Sequence, residues 1–240
     1  MAEAVHADVR QISVLLRGEP EFLRAWTECW DVRRVLLCTG AIFVGAGLYG
    51  AAMGWWRAPL QALFVAIKFP LIILLTTLGN ALLNAMLAPL LGLNITLRQS
   101  FLAILMSFTI VSVILGSFSP LVAFLVWNAP PMSGRAQLSE GTYSLIQLTH
   151  VGVIAFAGIV GNLRLVQLLR QISGNAATAR KVLFAWLAGN LFFGSQLSWI
   201  LRPFIGSPGL EVEFLRKTAL EGNFYETVFY SVLHLLKLDH

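Results

Sequence analysis

Between Val32 and Leu210 the chain carries a single carboxylate, Glu140, against eleven Lys and Arg, and long apolar runs fill the intervals between those charges. A stretch of that kind has too few charges to cover a soluble domain. Over all 240 residues, 57% are hydrophobic, 12% are charged and the mean hydropathy is +0.75, well outside soluble globular usage. The other eleven carboxylates lie outside the stretch and mark both ends of the chain as water-facing. The net charge of +5 is spread between apolar runs instead of clustering on one helix or arm. Membrane topology explains that distribution, and no nucleic-acid partner is expected.

The runs predict an all-α, polytopic membrane helix bundle of about five transmembrane helices. Amphipathic segments at 1–34 and 206–240 flank a bundle over 35–205. Residues 6–18 and 21–26 read as two short amphipathic helices that either lie on the membrane surface, the favoured placement, or dock on a neighbour. The first span covers about 35–56, where Ala46, Gly50 and Gly54 repeat at i+4 and form a small-residue stripe for packing within the bundle. Trp55 and Trp56 form an aromatic belt. Residues 59–93 would make a helix of about 50 Å, too long for one perpendicular span. Pro70 is the expected break, with an interfacial helix over 60–69 and the second span over 70–93. Lys68 then snorkels to the surface. If the helix runs through, Lys68 becomes a lone intramembrane cation with no acidic partner, a functional site by default. Thr77, Asn80 and Asn84 share a stripe and are expected to hydrogen-bond to a neighbouring helix.

The third span covers about 101–127, and Ser117 and Ser119 precede Pro120, where hydroxyls can satisfy carbonyls freed by the proline. A water-exposed loop with Glu140 leads to the fourth span, about 143–164 with a possible extension to 169, which carries His150 and the small pair Ala157 and Gly161. A positive loop with Arg164, Arg170, Arg180 and Lys181 follows, and then the fifth span over about 182–201 with Gly189, Asn190 and Gln196. Two cysteines, Cys29 and Cys38, make neither a disulfide framework nor metal spacing. The first apolar run has no cleavage site at a signal-peptide distance and reads as an uncleaved span.

No phosphate-binding glycine loop, His-Glu-x-x-His, Cys-x-x-Cys or Gly-x-Ser-x-Gly occurs. The predicted spans hold one His and no Asp or Glu, so neither an activated nucleophile, a metal cluster nor a haem is expected. The chain reads as no enzyme, without a cofactor or a metal. The residues left as candidate structural, anion or lipid-headgroup contacts are Lys68, Asn80, Asn84, Arg164, Gln196 and Arg202. Ser195, Trp199 and Arg202 fall on one helix face just before Pro203-Phe204-Ile205-Gly206-Ser207-Pro208. Arg202 either reaches the headgroup layer and pairs with tail carboxylates such as Glu211 or Glu213, or, as the Pro-Phe-Ile-Gly-Ser-Pro that follows it favours, is held by carbonyls or by Gln196 and fixes how the last helix joins the turn. On that reading Arg202→Lys and Arg202→Ala would both lower the yield of folded protein. These features predict a non-catalytic integral membrane subunit or scaffold, partnered by the bilayer and by another membrane protein or itself. The alternative is a homo-oligomeric channel or transporter for an anion or small solute, suggested by Lys68, Arg164 and Arg202.

The tail, Trp199-Ile200-Leu201-Arg202-Pro203-Phe204-Ile205-Gly206-Ser207-Pro208 followed by Gly222-Asn223-Phe224-Tyr225-Glu226-Thr227-Val228, resembles that of an uncharacterised family of bacterial inner-membrane proteins. Tyr49-Gly50, Lys68-Phe69-Pro70 and the stretch from Gly116 to Pro120 extend the likeness over most of residues 30–235. In topology alone the chain is also similar to five-span proteins of the Yip family, non-enzymatic partners of small GTPases in eukaryotic trafficking. The first resemblance implies a bacterial inner-membrane location and no activity; the second carries no trafficking role to a bacterial chain. Lys and Arg counts place the N-terminus in the cytoplasm and, after five spans, the C-terminus outside. Reporter fusions after residue 135 and after residue 175 are expected to show opposite sidedness; matching sidedness would remove the span between them.

Overall fold

A computed structural model of the protein describes residues 12–18, 27, 30–130, 140–206 and 211–226, and among these the regular structure is helical with no strand. Five long helices carry the fold: α1 (Val32–Trp55), α2 (Pro59–Leu90), α3 (Leu97–Asn128), α4 (Glu140–Ser173) and α5 (Ala176–Leu201). Four stretches are long and apolar enough to cross a membrane: α1, α2, α3 and Thr142–Ser173 of α4. α5 is 26 residues long but is not among them. Helices follow one another around the bundle in the order α1, α2, α5, α4, α3, and α2 also touches α3 across the middle.

Helix ends follow local sequence. Asp31 caps α1 by accepting from the Arg33 N–H at 2.9 Å, and Asn175 caps α5 by accepting from the Ala177 N–H at 2.8 Å. Thr96 and Gln99 form a reciprocal capping box at the start of α3. Pro59 occupies the first turn of α2, where its missing N–H costs nothing. Gly174, at φ 62°, makes the turn between α4 and α5.

Glycine sets the distance between the first three helices. A Cβ on Gly116 would sit 2.8 Å from the Gly45 Cα, so α1 and α3 meet backbone to backbone. A Cβ on Gly50 would sit 2.6 Å from the Val65 carbonyl oxygen, and one on Gly54 2.7 Å from that of Gln61. The small-residue stripe of α1 is therefore the seat of α2. Gly161 lets α4 close on Val111 and Ser107 of α3 in the same way.

Two expectations are corrected. α2 does not break at Pro70 but continues for 32 residues. Pro70 leaves only the Ala66 carbonyl without its helical donor, and α1 packs on that side at Gly47, so the helix continues against its neighbour. The surface placement of the N-terminal segment is also overturned within residues 12–18. Residues 12–17 are helical, Leu15 is fully buried in the core cluster that includes Cys38 and Ile42 of α1 and Leu165 of α4, and the Leu16 carbonyl accepts from Arg164 of α4. The helix expected over 21–26 lies outside the described residues. At Pro120, Ser119 Oγ donates to the freed Gly116 carbonyl at 2.7 Å. Lipid-facing surfaces carry Leu36, Phe43, Leu78, Met86 and Phe156, while Trp30, Trp55 and Trp127 stand exposed at helix ends. Gly116→Leu is expected to force α1 from α3, costing at least the ~1–3 kcal/mol of an overpacked core. Thermal unfolding in detergent checks it, with Gly158→Leu, where an added Cβ meets nothing within 4 Å, as the near-silent control.

Candidate functional site

The polar groups gather where α1 ends, α2 begins and α5 stops. Gln61, fully buried in the first turn of α2, donates from Nε2 to the Pro203 carbonyl at 2.9 Å and to that of Phe204 at 3.0 Å. Lys68 lies seven residues on, on the same face, and is also fully buried. Its Nζ donates to the Pro203 carbonyl at 3.4 Å and lies 5.3 Å from the centre of the Phe214 ring. α5 ends at Leu201, and α2 supplies side-chain donors to the carbonyls of Pro203 and Phe204 in the turn just beyond it. Phe204 closes the seat against Phe69. Because α2 runs through Pro70, Lys68 does not snorkel. Among the described residues no carboxylate is within ion-pair distance of it.

Arg202 is placed differently from the sequence expectation. Among the described residues neither carbonyls nor Gln196 hold it: its guanidinium lies 3.0 Å from the centre of the Trp199 ring, one helical turn earlier. Gln196 instead accepts from the Phe224 N–H at 3.4 Å. The reason is the tail, which runs back along α5. Phe214 packs edge-on against Phe64 of α2, Arg216 reaches to 5.8 Å from the Trp199 ring, and Tyr225 stacks on Phe192 and shares a hydrogen bond with Ser195 at 2.9 Å. Of the amphipathic tail expected over 206–240, residues 224–226 are helical, and the part beyond 226 lies outside the described residues.

Deeper in the bundle, Asn80 of α2 donates to the Asn190 side chain and to the Trp186 carbonyl of α5. Gly189 makes room for it, since a Cβ there would run into the Asn80 amide. Asn84 is fully buried and neither of its amide atoms has a partner; Thr76 Oγ1, Asn80 Oδ1 and Trp186 Nε1 are in the same state. Across the bundle, His150 Nδ1 is hydrogen-bonded to the Tyr49 hydroxyl at 2.9 Å. His150 also lines an apolar cavity of about 410 Å³, with Phe69, Phe108, Leu115, Ile154 and Phe204. Arg164 stands apart, at the opposite end. It donates to the Leu16 carbonyl at 2.9 Å and to Gln167, and so fastens the N-terminal segment to α4.

Lys68, Gln196 and Arg202 therefore meet the C-terminal turn and tail, Asn80 and Asn84 lie in the α2–α5 seam, and Arg164 belongs to neither group. Sequence reading passed over Gln61, Phe214 and Arg216. Only the seven-residue spacing of Gln61 to Lys68 could have flagged the first, and nothing local flags the other two. Among the described residues no group of three His, Cys, Asp or Glu could hold a metal ion.

Gln61 and Lys68 are expected to respond oppositely to apolar replacement. Gln61→Leu strips the part-buried Phe204 carbonyl of its donor and leaves that of Pro203 with Lys68 alone, and should cost about 1–3 kcal/mol. Lys68→Met keeps the stem and removes a desolvated charge, so stability should hold or rise. Denaturation in detergent checks both; a strong loss in Lys68→Met would make the ammonium itself the structural element. Comparisons with protein-family models, with curated proteins and with solved structures find no match to this chain.

Proposed function

We propose that the chain is a non-catalytic, multi-pass subunit of a bacterial inner-membrane assembly, with five crossing helices and a cytoplasmic N-terminus. The observation that carries this reading is the path of residues 211–226 along α5. Tyr225 reaches the Leu191 carbonyl, ten residues and about 15 Å from the end of α5. Gly194, between them, faces Thr76 near the midpoint of α2. The segment has little regular structure and exposes Glu211, Lys217, Glu221 and Glu226. Irregular backbone and charged side chains at that depth are tolerated only against protein or a wet cavity, not against hydrocarbon. The outer side of α5, with Phe184, Leu191 and Phe192 exposed, is accordingly the side turned to a neighbouring subunit. The lower apolar character of α5 fits the same role.

A second reading, a homo-oligomeric channel or transporter for an anion or small solute, is favoured by the unpartnered polar atoms of Thr76, Asn80, Asn84 and Trp186. A file of waters along the α2–α5 seam would satisfy them. Solute flux through proteoliposomes that is lost in Asn84→Leu would favour this reading over the first. The assembly reading predicts that a photo-crosslinking residue in place of Phe184 captures protein in native membranes, whereas one in place of Leu36 on α1 captures lipid. Lipid capture at both positions, together with a monomer in native mass spectrometry, would overturn it.

A further inference from the structure

Arg202, from the end of α5, and Arg216, from the tail, both lie on the indole of Trp199, with guanidinium carbons 3.0 and 5.8 Å from the ring centre. Among the described residues neither is paired with a carboxylate. Stacking on an indole explains one guanidinium. It does not explain a second like charge beside the first, and it gives neither of them an acceptor. Arg202 Nε, Arg216 Nε, Arg216 Nη2 and Trp199 Nε1 are all shielded from solvent and find no hydrogen-bond partner among the described residues. Four unpartnered donor atoms and two positive charges, with no acceptor for them among the described residues, are the groups that an anion calls for. The planar forks of two arginines suit the several oxygens of a tetrahedral oxyanion, which would also neutralise the repulsion between them.

We infer that Trp199, Arg202 and Arg216 bind a phosphate-type oxyanion, supplied as a phospholipid headgroup or as free phosphate, and that the bound anion clips the tail onto α5. The inference does not rest on the assembly reading. Its test uses solubilised single chains, so its failure leaves that reading untouched.

The full chain, purified in a neutral detergent without phosphate, is digested with trypsin, and the cleavage rate after Lys217 is followed at constant ionic strength. Inorganic phosphate is titrated in one arm. In the other, mixed micelles contain phosphatidylglycerol or, as the phosphate-free control, a neutral galactolipid. Saturable slowing of cleavage by phosphate assigns the free anion, and slowing by phosphatidylglycerol alone assigns the headgroup. Arg202→Gln and Arg216→Gln are expected to abolish the protection, while Arg170→Gln at the opposite end leaves it intact. Arg216→Lys keeps the charge without the fork and guards against a variant that merely fails to fold; its midpoint should weaken about tenfold. No saturable protection from either probe, protection undiminished in the two Gln variants, or an unchanged midpoint in Arg216→Lys would each overturn the site.

Discussion

Gly45 and Gly116 bring the backbones of α1 and α3 into contact, and the rest of the bundle is arranged around that approach. In lipid, apolar side chains gain nothing by leaving one hydrocarbon for another, so association rests on close packing and on polar pairs between helices. A side chain at either glycine would hold the helices apart. Gly50 and Gly54 repeat the device one turn at a time toward the end of α1, seating α2 against the same helix. α1 is thereby clasped between α2 and α3, and Cys38, Ile42, Ala46 and Tyr49 are almost wholly buried.

With three helices fixed, α2 becomes the member that ties the remainder in. Its inner face presents Gln61 and Lys68 at one end, and Asn80 and Asn84 farther along. Each group does a different job. Gln61 and Lys68 hold the turn after α5 through the Pro203 and Phe204 carbonyls, and Asn80 bonds α5 itself through Asn190 and Trp186. α5 is thus joined to α2 by hydrogen bonds, whereas α1 is joined to it by backbone contact. That leaves the outer side of α5 open to the tail, and it is there that Trp199, Arg202 and Arg216 come together.

The sequence by itself determined the class of the molecule and most of its helices. Long apolar runs bounded by Arg, Trp, Gly and Pro leave helices as the means of satisfying backbone groups, and the capping residues Asp31, Thr96 and Asn175 stand where helices begin. The small residues of α1 and α4 and the hydroxyl beside Pro120 were legible because their effects are local: a missing Cβ, or a donor within one turn of a freed carbonyl. Tertiary structure decided whether Pro70 interrupts α2, since one lost hydrogen bond is outweighed or not by the packing of α1 alongside. That continuity in turn decided the fate of Lys68, which faces a carbonyl and a ring instead of headgroups. Tertiary structure also decided the surroundings of Arg202. Arg216 lies fourteen residues farther along, across a turn whose path no local spacing encodes, and only the folding of the tail back along α5 places both guanidinium groups on one indole.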